Sequence, residues 1–165
     1  MIKAVLFDRD GTLIHDVAYN GDPARVQPID GVAKALAELR RAGLLIGVAT
    51  NQSAIARGLI TPNQVAAVNA EVERQLGPFG TWQICPHQDS DACPCRKPLP
   101  GLIIQGARAL HVMPAECLVI GDRYTDLDAA AAAGAKGIFV SQWLRTQPRH
   151  TGAAPPSVRV RGRSG

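Results

Sequence analysis

Hydrophobic and polar positions along this chain follow two alternating periods. Short continuous apolar runs, AVLF (4–7), LLIGVAT (44–50), CLVIGD (117–122) and GIFV (137–140), have the length and branching of strands buried on both faces. Between them lie segments with apolar residues every three or four positions. In IDGVAKALAELRRAG (29–43), Val32, Leu36 and Leu39 share one helical face, with Asp30 expected as the N-cap and Gly43 as the stop. TPNQVAAVNAEVERQLG (61–77) carries Thr61 at the N-cap, Pro62 at the first helical position and Gln64 where a capping box closes, and it ends at Gly77. GLIIQGARALH (101–111) and TDLDAAAAAG (125–134) predict a third and a fourth helix. Strands alternating with helices imply right-handed crossovers and a doubly wound, Rossmann-like parallel sheet, an α/β fold whose ligands bind at the carboxyl ends of the strands.

The polar residues fall where that rule puts a site. DRDG (Asp8, Asp10), TNQS (Thr50, Asn51, Gln52, Ser53) and GDRYTD (Asp122, Arg123, Asp126) each follow a strong strand directly. Asp8, Asp10 and Asp122 in one cleft would repel one another, and a hard cation such as Mg²⁺, which takes oxygen ligands and keeps exchangeable waters, relieves that repulsion. With charge neutralised, Asp8 can approach a phosphoryl group as a nucleophile, and Asp10 can give and take the proton. Thr50 and Lys97 are the candidate donors to the transferring oxygens.

Composition limits the assembly. The 165 residues, 46% hydrophobic and 19% charged, suffice for one domain, and no segment nears the ~18 apolar residues of a membrane span, so a soluble cytoplasmic protein is expected. The net charge of +4 is uneven: residues 141–165 hold five arginines and no acid, which leaves 13 basic against 14 acidic residues in 1–140. The domain is expected over 1–140. The tail 141–165, rich in Pro, Gly and Ser, reads as disordered and solubilising, ahead of a contact for nucleic acid or another acidic partner.

The stretch CPHQDSDACPCRKP (85–98) concentrates three of the four cysteines. Cys85, His87, Cys93 and Cys95, spaced C-x-H-x5-C-x-C, suit a closed tetrahedral Zn²⁺ site that braces a loop without a core of its own. Arg96 and Lys97 follow the last ligand, so the metal would fix where Lys97 points. Free buried thiols are the alternative, and Cys117 in its apolar run reads that way.

FDRDGT, the Thr after the second strand, Lys97 and GDxxxD (Asp122 to Asp126) together resemble the four motifs of the haloacid-dehalogenase-like phosphohydrolases, over Lys3 to about Val140. The resemblance implies an aspartyl-phosphate on Asp8 and Asp10 as general acid/base. It also implies Mg²⁺ on Asp8, Asp122 and the backbone carbonyl of Asp10, with Asp126 in support, and phosphoryl contacts from Thr50 and Lys97. The zinc loop is similar to that of a narrower branch acting on heptose 1,7-bisphosphate or histidinol phosphate. TNQSAIARG, with Asp16 and Tyr19 of HDVAY, is nearer the heptose enzymes, whereas the His87–Cys93 spacing and GDRYTD are nearer the histidinol enzymes. Weight on TNQS gives a heptose bisphosphate 7-phosphatase as the expectation, with Arg57, Arg96 and Arg123 as cations for the second phosphate and Arg96 foremost. No separate cap domain fits within 12–28, and a monomer taking a small sugar phosphate is expected. A polynucleotide 3′-phosphatase and a non-catalytic zinc-stabilised binding module are the remaining alternatives; the cysteine cluster opposes the first and the intact acidic motifs the second.

Overall fold

The computed structural model describes residues 1–141 and 160–161. The elements run β1 (Ala4–Phe7), α1 (Val32–Arg41), β2 (Leu45–Asn51), α2 (Pro62–Leu76), β3 (Thr81–Cys85), α3 (Gly101–Ala109), β4 (Cys117–Gly121), α4 (Tyr124–Ala133), β5 (Lys136–Phe139) and β6 (Val160–Arg161). The sheet order is β3-β2-β1-β4-β5-β6, parallel except for β6 against β5. The expected doubly wound sheet is present, with β1 at its centre. Its register aligns Phe7 with Val48 on one side and Ile120 on the other, so the three strand ends that carry polar motifs finish level.

Strand alternation divides the core in two. Val5 and Phe7 of β1 face one side, where they pack with Val32 and Leu36 of α1 and Val68, Val72 and Leu76 of α2. Ala4 and Leu6 face the other, against Leu102, Ile103 and Ala107 of α3 and Ala129 and Ala130 of α4. The small residues of α4 allow it to lie close on the sheet, which explains why an almost uniform alanine run is a packed helix. Among the described residues, no helix is long and apolar enough to cross a membrane.

Three expectations change. Asp30 does not cap α1; Gly31 occupies that position at φ +84°, a left-handed conformation that a glycine adopts without strain, and no side chain bonds to the helix start. The segment Thr81–Cys85, absent from the predicted strands, is an edge strand paired with β2; its polar Thr81 is buried while its apolar Ile84 is exposed, the reverse of the burial that an apolar run signals. Within the stretch read as a disordered tail, Val160–Arg161 pairs with β5; residues 142–159 and 162–165 lie outside the described residues.

The capping box of α2 forms as expected: Thr61 Oγ1 accepts from the Gln64 N–H at 3.1 Å, and Gln64 Oε1 accepts from the Thr61 N–H at 2.9 Å. Thr61→Ala should cost about 1 kcal/mol. Calorimetry should read this as a melting temperature ~2–4 °C lower with turnover unchanged; an unchanged melting temperature would mean the helix start is held by packing alone.

Candidate active site

At the carboxyl edge of the sheet lies a cleft of about 670 Å³, lined by residues from all the strand-end motifs. Asp8 leaves β1 with its N–H on the Ile120 carbonyl, at 2.9 Å, so the nucleophile candidate is fixed by the strand ladder itself. Lys97 reaches the same point from the loop after Cys95. Its ammonium donates to Asp8 Oδ1 at 3.0 Å, Asp126 Oδ1 at 2.5 Å and the Ala49 carbonyl at 2.8 Å, which uses all three of its protons. Lys97 is 4% exposed and Asp126 1%.

Burial raises Asp8 to about 7; Lys97 pulls the other way, and the neighbouring charges of Asp126 and Asp10 add to the rise. For Lys97, burial acts to lower the pKa, and Asp8 and Asp126 more than offset it, so the ammonium titrates above its ordinary value. Oxygens of Asp8, Asp122 and Asp126 gather within 4.8 Å of one another. Burial also raises Asp122. Both oxygens of Asp126 are already taken, Oδ1 by Lys97 and Oδ2 by the Arg123 N–H at 3.0 Å, whereas Lys97 holds only Oδ1 of Asp8. Asp8 and Asp122 are therefore the two carboxylates open to a hard cation, and an oxygen-only, acid-rich set is the kind that holds one. Gly11, at φ +79°, lets the chain turn beneath them: a Cβ there would collide with the Asp122 carboxylate.

The TNQS residues do not all face the cleft. Thr50 is buried, does not line it, and its hydroxyl accepts from Gln52 Nε2 at 2.9 Å. Asn51 closes a reciprocal pair on the backbone of Lys97, donating to its carbonyl and accepting from its N–H, each at 3.1 Å. Gln52 also donates to Asp10 Oδ2 at 2.9 Å, and Ser53 lines the cleft. Asp16 pairs with Arg123 at 3.5 Å. Tyr19 lines the cleft with φ +52°, and the Arg57 guanidinium lies 5.1 Å from its ring centre. Arg96, also in the lining, donates to Asp89 at 2.5 Å and to the His87 carbonyl at 3.3 Å. The side chain that sequence patterns did not single out is Arg9, buried between the two motif aspartates; a charge inside an apolar strand exit was the available signal.

Beside the cleft, the sulfurs of Cys85, Cys93 and Cys95 and Nδ1 of His87 converge. Cys85 Sγ lies 3.5 Å from His87 Nδ1, 3.6 Å from Cys93 Sγ and 3.0 Å from Cys95 Sγ, and Cys95 Sγ lies 3.4 Å from Nδ1. A cation at ~2.3 Å from sulfur and ~2.0–2.1 Å from nitrogen, in tetrahedral coordination, would span edges of about 3.5–3.8 Å, close to most of these separations. Without such a cation the thiols differ: burial and the bond from Cys95 push Cys85 up to about 12, whereas for Cys93 burial is outweighed by hydrogen bonds from the backbone of Arg96 and Cys95, which bring it down to about 7.

Residues 15–134 match the model of the haloacid dehalogenase-like hydrolases, a stretch that includes Lys97 and Asp122 and begins after the DRDG turn. The chain is 36% identical over 143 residues to the D-glycero-β-D-manno-heptose-1,7-bisphosphate 7-phosphatase of Yersinia pestis, covering 80% of this chain and 76% of that one. It is 34% identical over 164 residues to the enzyme of the same name from Bordetella bronchiseptica, covering 96% and 92%. The crystal structure of the B. bronchiseptica D,D-heptose 1,7-bisphosphate phosphatase complexed with magnesium and phosphate superposes with a TM-score of 0.76 at 35% identity, over 82% of this chain and 79% of that one.

A carboxyl group that titrates near 7 makes a cation compete with a proton. Calorimetric titration of the metal-free protein with a divalent cation should show affinity rising up to about tenfold per pH unit below 7 and levelling off above ~8, with proton release falling in parallel. Affinity that does not vary over pH 5.5–8 would exclude Asp8 as a ligand.

Proposed function

The chain belongs to the haloacid dehalogenase-like hydrolases, and from that premise we propose that it is a magnesium-dependent phosphatase removing the 7-phosphate of D-glycero-D-manno-heptose 1,7-bisphosphate. The observation that carries the reading is the buried Asp8–Lys97 contact on the floor of a cleft with arginines on its walls. Support for the substrate comes from the relatives of that name and from those arginines.

In the proposed reaction a carboxylate oxygen of Asp8 attacks phosphorus and the bond to the sugar oxygen breaks. Asp10 protonates the departing oxygen. Asp10 then takes a proton from water, which attacks the aspartyl-phosphate and releases inorganic phosphate and the free Asp8 carboxylate. Magnesium, held by Asp8, Asp122 and the backbone carbonyl of Asp10, would neutralise charge on the transferring oxygens. Lys97 supplies a further positive charge at a fixed point, held there by Asp126 and by the Asn51 pairing of its backbone. Thr50 acts through Gln52 in this reading, since it does not line the cleft itself and its hydroxyl accepts from the Gln52 side chain that does.

The second phosphate needs cations of its own. Among the described residues, Arg57 is the lining arginine with no carboxylate partner; Arg9, Arg96 and Arg123 pair with Asp10, Asp89 and Asp16. Asp89 is 90% exposed, and so open a pair exchanges readily for a dianion. Arg57 and Arg96 are therefore assigned to the second phosphate, with Tyr19 holding the Arg57 guanidinium over its ring. Histidinol phosphate would bring a positive amine to the same arginines.

The four-residue cluster is read as a structural zinc site. Its separations and its four protein ligands favour a closed site, and it spans the loop that delivers Lys97. Four cysteines outside any disulfide suit the cytoplasm, and the complete site within one chain suits a monomer. The unit that carries out the reaction is residues 1–140.

Steady-state kinetics test the substrate. The wild type should prefer heptose 1,7-bisphosphate over histidinol phosphate in kcat/KM by more than about a hundredfold. Arg57→Ala and Arg96→Ala should each raise KM for the bisphosphate roughly tenfold, the size of one lost charge-assisted contact, and affect a monophosphate little. Preference for histidinol phosphate would sink the assignment.

Elemental analysis of protein purified without chelators should find about one zinc per chain. Cys93→Ser should then lower the melting temperature by about 5 °C or more; a metal-free wild type of full stability would remove zinc from the account.

A further inference from the structure

Arg9 is the bulkiest of the fully buried side chains, with 2% exposure. An ionised guanidinium in the interior is costly unless its charge and its protons are met. Here the charge is met by one residue, which also takes two of the protons: Nε donates to Asp10 Oδ1 at 3.2 Å and Nη2 to Asp10 Oδ2 at 3.0 Å. The remaining arm, Nη1, donates to Asn69 Oδ1 on α2 at 2.7 Å. From the other side, Gln52 Nε2 donates to the same Asp10 Oδ2, and to the Thr50 hydroxyl. A continuous network thus runs from α2 through Arg9, Asp10 and Gln52 to the end of β2. Asp10 lines the cleft and its side chain is 23% exposed, so the fork grips the carboxylate from the protein side and leaves the other side to substrate.

Stability alone does not account for this arrangement. A buried ion pair contributes little compared with apolar side chains of similar volume, whereas a planar fork on both oxygens fixes the plane and position of a carboxylate as no point charge can. Proton transfer in both halves of the reaction depends on that position, and a misplacement of about 1 Å can cost on the order of 10²-fold in rate.

We propose that Arg9 is the positioning residue of the acid/base Asp10, with Asn69 as the anchor of the fork, an assignment that rests on the proton-transfer role read for Asp10 above. Gln52 completes the grip. The aspartate's two duties are then separable: an alcohol leaving group needs its proton, an aryl leaving group does not, and hydrolysis of the acyl-phosphate needs it as a base in either case.

The test uses 4-nitrophenyl phosphate with Arg9→Lys, Asn69→Leu and Asp10→Asn in the magnesium-loaded enzyme. Arg9→Lys keeps the charge and loses the fork. The rapid first release of nitrophenolate should persist, while steady-state turnover falls roughly 10- to 100-fold and KM falls with it, so that kcat/KM changes less than about threefold. Asn69→Leu leaves Arg9 in place and should show the same split at about three- to tenfold, in protein whose melting curve confirms folding. A merely structural Arg9 would depress both phases together, in step with melting temperature, and would overturn the proposal. Full activity of Arg9→Lys beside an inactive Asp10→Asn would overturn the role of Arg9 alone. Full activity of Asp10→Asn would overturn it together with the proton-transfer role on which it rests.

Discussion

A lysine ammonium buried between two aspartates is the interaction on which the rest of this structure depends. Lys97 comes from a loop, Asp8 from the central strand and Asp126 from the start of α4, so three separate parts of the chain meet in one set of hydrogen bonds. Removing the lysine would leave two carboxylates facing each other away from water, which is far more costly than the pairing is favourable. The ammonium also spends a proton on the Ala49 carbonyl, tying it to β2. This is a cation held at a fixed place before substrate arrives, the condition under which charge stabilisation is effective in a dry site.

Loops seldom hold a side chain so firmly, and the segment that carries Lys97 is held twice. Asn51 takes both backbone groups of Lys97, and the Gln52 N–H donates to the Cys85 carbonyl, which joins the end of β2 to the first member of the cysteine cluster. The cluster, as the proposed zinc site, replaces a hydrophobic core that so short and polar a loop cannot build. Stability of the loop and aim of the lysine are in this way one property, since whatever loosens the cluster also frees the residue two positions beyond it.

The cleft is open because the chain between β1 and α1 is short. Leu13, Ile14, Val26 and Ile29 of that segment are drawn into the core, which leaves only the span around Asp16 and Tyr19 to stand over the site. Selectivity in the proposed reaction must then come from charge on the walls rather than enclosure. Arginines paired with exposed acids suit that purpose, because they stay solvated and oriented without substrate and a dianion displaces a weak partner at small cost.

Much of this was legible in the sequence, because strand and helix periods, caps and strand-end polar residues are local properties. The doubly wound sheet, the Thr61–Gln64 box, the convergence of Asp8, Asp122 and Lys97 and the Cys85–His87–Cys93–Cys95 cluster all follow from spacing along the chain. What only tertiary structure decided is which way polar side chains turn once they arrive. Asn51 and Gln52 sit in a motif that looks made for substrate, yet one binds the backbone of residue 97 and the other the carboxylate of residue 10. Arg9 reads as an incidental charge between two acids until α2 brings Asn69 to within 2.7 Å of it. Thr81–Cys85 is an edge strand whose half-exposed face gives a weak pattern, and only pairing with β2 identifies it. A periodicity records what each residue needs from water, and the sequence therefore determined the layers. The partners of buried polar groups are set by residues tens of positions away, and those contacts exist only once the sheet has brought the strand ends together.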